Sequence, residues 1–92
     1  MIASFRDPDT EALARGRRVK RFAVLEATAR RKLRQLEIAG RLDDLRVPPG
    51  NRLESLKGDR VGQCSIRIND QYRVCFVWTA AGPAEVEIAD YH

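Results

Sequence analysis

At 92 residues the chain fits one compact domain, residues 1–92, and leaves no room for a separate cofactor domain. Hydrophobic residues at 43% and charged residues at 33% exclude a disordered tail, and no apolar run approaches the roughly 20 residues of a membrane span. Seventeen Lys and Arg against thirteen Asp and Glu give a formal charge of +4, and Arg far outnumbers Lys, which favours an anionic polymer as partner because the planar guanidinium matches phosphate.

"MIASFRD" has no signal-peptide core, so a cytoplasmic location without a membrane partner is expected, and its "IASF" reads as a short first strand. In "DPDTEALARG", Asp7 is a helix N-cap, Pro8 takes the first helical position and Gly16 lies past the end. From about Val19 to Ala39, Phe22, Leu25, Ala29, Leu33 and Leu36 recur at three- and four-residue spacings. They make the apolar stripe of a second helix, stopped by Gly40. Arg30, Arg31, Lys32 and Arg34 fall on its other face and read as solvated charge.

Pro48, Pro49 and Gly50 forbid further helix, and beyond them the apolar period changes to two. "RLESL", "GQCSIRI", "YRVCFVW" and "AEVEIADY" read as strands. Cys64 and Cys75 read as free strand thiols. The order predicts an α+β fold: an N-terminal strand and two helices packed on one face of a small, mainly antiparallel sheet.

Alternation assigns the faces. Cys64, Ile66, Ile68, Tyr72, Val74, Phe76, Trp78, Val86 and Ile88 are all even-numbered and should lie under the helices. A three-residue turn at Asn69–Gln71 pairs 68 with 72 and sets Arg67 opposite Arg73 on the other face. Like charges there are unfavourable, which calls for an anion between them. A last strand in phase with Phe76 and Trp78 places residue 91 beside residue 73, bringing Tyr91 to the arginines. Asp90 and His92 then point the other way unless the chain end curls over.

"SLKGDRVGQCSIRINDQYRVCFVW" followed by "DYH", with "IASFRD" and two helices ahead of them, resembles the RelE superfamily of bacterial toxins, and within it the HigB type. The resemblance covers nearly the whole chain. It implies a ribosome-dependent endoribonuclease that cuts messenger RNA in the decoding site. It also implies a helix-turn-helix antitoxin of the HigA type as partner, with operator DNA bound only through that antitoxin. Carried over residue by residue, it implies a catalytic set of Lys57, Arg73, Asp90, Tyr91 and His92, with Arg67 and Arg60 contacting RNA. Position 54 is a glutamate, and some relatives carry a basic residue or histidine nearby.

The residues agree with that chemistry. RNA cleavage by the 2′-hydroxyl needs a base, an acid and cations for the charge that builds on phosphorus. One histidine cannot supply a two-histidine acid–base pair, and no Cys, His and carboxylate cluster has metal-ligand spacing, so no metal or cofactor is expected. The alternative is a non-catalytic nucleic-acid-binding or regulatory module, which would bind without cutting.

Overall fold

The computed structural model describes residues 1–90. Helix α1, Pro8–Ala14, begins as its sequence dictates: the Asp7 carboxylate accepts from the Asp9 and Thr10 amides at 3.2 and 3.3 Å, and Pro8 needs no donor at the first position. Arg21 then clamps Asp7 and Asp9, each at 2.8 Å.

The stretch read as one long helix is divided. Lys20–Leu25 is a 3₁₀ segment and α2 runs only over Glu26–Ile38. Phe22 and Leu25 are three apart, and a 3₁₀ turn aligns i with i+3, so both stay on the buried side before Ala29, Leu33 and Leu36 take over with helical spacing. All five are buried, and each buried Leu or Phe contributes about 1.5–3 kcal/mol. Of the four basic residues on the outer face, Arg31 and Arg34 are exposed and Arg30 and Lys32 half-buried. Arg30 pairs with Glu26 at 2.8 Å and donates to the Leu13 and Arg17 carbonyls at 3.4 and 2.8 Å, tying the end of α1 to α2. Lys32 donates to Asn51, and burial, with Arg31 nearby, lowers its ammonium below its usual range.

Asn51 is wholly buried and anchors the connector. Its amide donates to Gln35 Oε1 at 2.8 Å and to the Leu45 carbonyl at 3.1 Å, while its oxygen accepts from Lys32. Both amide hydrogens and one of the two lone pairs of the carboxamide oxygen are therefore used.

Four strands follow in sheet order: β1 (Glu54–Ser55), β2 (Cys64–Arg67), β3 (Tyr72–Thr79) and β4 (Gly82–Asp90), all antiparallel. The helices cover one face, which is the α+β arrangement that the alternation predicts. Ile66, Ile68, Val74, Phe76, Val86 and Ile88 join the helical stripe in a single core. Tyr72 meets Phe22 edge to face, centroids 6.5 Å apart. "RLESL" shrinks to the two residues of β1, and "IASF" to a single parallel bridge of Phe5 with Val86. Backbone bonds from Ala3 to Pro83, Arg6 to Val86 and Val86 to Ser4 cover the outer edge of β4. Thr10 Oγ1 accepts the Ile88 amide there at 3.0 Å. Gly82, at φ +110, lies so close to Met1 that a Cβ would overlap the Met1 carbonyl.

The β3–β4 register corrects one expectation. Arg73 faces Ala89, and Tyr72 faces Asp90, so residue 91 is not the partner of residue 73. A two-residue turn at Ala80–Ala81 pairs Thr79 with Gly82, which would put odd against even. A bulge between Cys75 and Val77 on the β3 side and Glu85, at φ 52, on the β4 side adds one residue and returns Val86 and Ile88 to the core face.

Candidate functional site

The face away from the helices is built from odd-numbered residues. Arg67 lies directly opposite Arg73, as the three-residue turn predicts. The two guanidiniums do not wait for an external anion, however. Arg67 bonds the Asn69 carbonyl at 3.2 Å and pairs with Asp70, while Arg73 reaches Glu54 Oε1 at 3.6 Å. Local carboxylates thus relieve the like-charge contact that the sequence left open.

Arg73 is only 12% exposed and is held from three directions. Nε donates to Ser65 Oγ at 2.7 Å, and Nη2 donates to the Arg52 carbonyl at 2.7 Å and to the Ser65 carbonyl at 3.5 Å. Nη1 donates to no acceptor among the described residues, so two of the five N–H groups of this guanidinium remain for a ligand. Arg73 lines a cleft of about 340 Å³ together with Arg52, Arg67, Asn69 and Asp70.

Beside the cleft, Leu56, Cys75 and Ala89 form a small second core. Burial pushes the Cys75 thiol above its ordinary value, with Arg60 opposing, so Cys75 is packing and not a nucleophile. Arg60 donates to Glu87 at 2.9 Å and Gln63 at 3.1 Å, which holds the loop of residues 57–63 on the sheet. It is not a lining residue of the cleft. Lys57 begins that loop and is exposed; its carbonyl accepts from the Arg60 amide at 3.3 Å, and its ammonium has no hydrogen bond or ion pair among the described residues. Asp90 closes β4 opposite Tyr72 and accepts from Gln71 Nε2 at 3.0 Å. By alternation it lies on the even side, away from Arg73. Tyr91 and His92 lie outside the described residues.

A family model described as RelE-like toxin of type II toxin–antitoxin system HigB matches residues 11–92. The chain belongs to the HigB-like toxin family. Toxin HigB-1 of Vibrio cholerae serotype O1 is 56% identical to it over 48 residues, which is 52% of this chain and 50% of that protein. The matched stretch therefore spans half of that relative.

In this HigB-like chain the structure brings Arg67 and Arg73 together, as the sequence predicts. It adds Arg52, Glu54 and Ser65, which sequence reasoning missed. Ser65 was accessible to it: Ser65 sits between two core residues and shares the face of Arg73 by alternation, one diagonal step away. Arg52 and Glu54 carry no such signal, because they come from the connector and the two-residue edge strand.

Proposed function

We propose that this HigB-like chain is the toxin of a type II toxin–antitoxin pair and a ribosome-dependent endoribonuclease that cuts messenger RNA, with a HigA-type antitoxin as its inhibitor. The observation that carries the reading is Arg73: a cleft-lining guanidinium pinned by Ser65 and the Arg52 carbonyl, with Nη1 bonded to no acceptor among the described residues. A donor fixed before the substrate arrives needs no reorganisation as charge develops, and such electrostatic preorganisation supplies much of the rate in phosphoryl chemistry.

In the proposed reaction the ribose 2′-hydroxyl loses its proton and attacks phosphorus, and the 5′-oxygen leaves as it gains one. Arg73 donates to the non-bridging oxygens of the pentacovalent phosphate, with Arg67 at the same cleft. Lys57 has an ammonium with no protein partner among the described residues and assists charge and proton balance at the leaving group. Tyr91 and His92 are proposed for proton transfer, with Asp90 as the orienting carboxylate. The cleft is wide open, and neither Lys nor Arg is a base near pH 7, since their ordinary values are roughly 10 or above. Positioning of the messenger by the ribosome then supplies what the open face does not, about 7–11 kcal/mol where the geometry is well set.

The test is to express the chain in bacteria and map RNA 5′ ends with translation running and with initiation blocked. New ends within coding regions should appear only during translation. Arg73→Ala should lower their yield by about 10²–10³-fold, the cost of removing one preorganised donor. Absence of new ends, or a folded Arg73→Ala protein that cuts like the wild type, refutes the proposal.

A further inference from the structure

Arg52 is the third guanidinium on the cleft, and its setting differs from that of the other two. Arg67 has Asp70 and Arg73 has Glu54, but Arg52 is exposed and pairs with no carboxylate among the described residues. Its backbone, by contrast, is tightly held. The Arg52 amide donates to the Pro49 carbonyl at 3.1 Å, its own carbonyl accepts from Arg73 at 2.7 Å, and the preceding Asn51 is locked beneath α2. These bonds keep it at φ 46, ψ 54, a left-handed conformation that glycine adopts far more readily than arginine. A costly conformation maintained by its surroundings, at the edge of an open basic cleft, is a mark of function.

From the exposed, unmatched guanidinium of Arg52 beside Arg67 and Arg73, we infer that Arg52 binds a backbone phosphate of single-stranded RNA next to the one held by Arg73. Because the Arg73 guanidinium grips the Arg52 carbonyl, the two phosphate subsites share one rigid element, and their separation is set by the fold. The inference rests on the RNA-cleaving reading and supplies its substrate-positioning residue.

The experiment is fluorescence anisotropy of the full chain with a labelled, uncleavable 2′-O-methyl RNA octamer, from 50 to 200 mM salt. Losing one phosphate contact should reduce the slope of log Kd against log salt by about 0.7 and weaken binding about eightfold at 50 mM salt relative to a 1 M reference. Arg52→Gln should show both effects, and Arg52→Lys neither. Arg52→Gly should bind as weakly as Arg52→Gln while its Tm stays at or above that of the wild type, because glycine suits the conformation. Arg31→Gln, on the exposed face of α2, is the charge-matched control and should keep the wild-type slope.

The inference is overturned if Arg52→Gln keeps the wild-type slope and affinity, if Arg31→Gln loses as much, or if the wild-type chain shows no saturable binding. Arg52-dependent binding without new RNA 5′ ends on induction would refute the nuclease and leave the phosphate site standing. New ends with unaltered Arg52→Gln binding would refute the site alone.

Discussion

Glu54→Gln separates a carboxylate that merely braces the sheet from one that competes with the ligand. Glu54 Oε1 lies 3.6 Å from Arg73 Nη2, with the Glu54 side chain 50% exposed and that of Arg73 12% exposed. At that distance Coulomb's law gives about 1 kcal/mol with the full screening of water and about 5 kcal/mol at an effective dielectric of 20. Half-exposed pairs lie near the lower figure, so about 1 kcal/mol is the working value. An incoming phosphate draws on the same guanidinium, and neutralising Glu54 removes its rival. RNA affinity should then rise about fivefold, since 1.36 kcal/mol corresponds to tenfold. Stability should fall by at most about 1 kcal/mol, because exposed pairs contribute little. Titration of the uncleavable octamer against wild type, Glu54→Gln and Glu11→Gln reads this directly. Glu11 pairs with Arg15 on α1, on the helix side, and controls for net charge. Equal or weaker RNA binding by a folded Glu54→Gln protein, or an equal gain in Glu11→Gln, refutes competition at Arg73.

Two further outcomes test the parts that hold the cleft in place. Asn51→Ala strands the Lys32 ammonium and the Gln35 carbonyl in a half-buried setting and should cost about 2–4 kcal/mol in urea unfolding, with the midpoint falling and m unchanged. Cys75 should resist a thiol reagent at pH 8 in the native state and react on unfolding, with half-buried Cys64 modified first. Its raised value means the unfolded chain ionises earlier, so this thiol subtracts stability only as pH climbs through about 9 and above. Rapid native labelling of Cys75 refutes its place in the second core.

Much of this was legible in the chain because alternation and helical spacing each report on one buried face. The even-numbered core and the Arg67–Arg73 pair follow from that requirement, and the Asp7 cap from the preference of Asp and Pro for a helix start. What escaped has physical causes too. The 3₁₀ start of the second helix keeps the same residues inward, so it leaves the apolar pattern unchanged. The β4 register depends on a left-handed Glu85, a residue type that does not announce a bulge. The anchoring of Arg73 uses a carbonyl, and carbonyls carry no sequence signal.

The bridge between Phe5 and Val86 has a temporal side. Residues 3–6 leave the ribosome roughly eighty positions before the strand they pair with, and both helices emerge before any strand of the sheet. During synthesis, therefore, the apolar stripe of Phe22, Leu25 and Leu33 has no sheet to cover it until β2 and β3 have formed. Contacts so distant along the chain close late and slowly. A nascent copy accordingly lacks the opposed arginines, and with them its cleft, until β3 has been made.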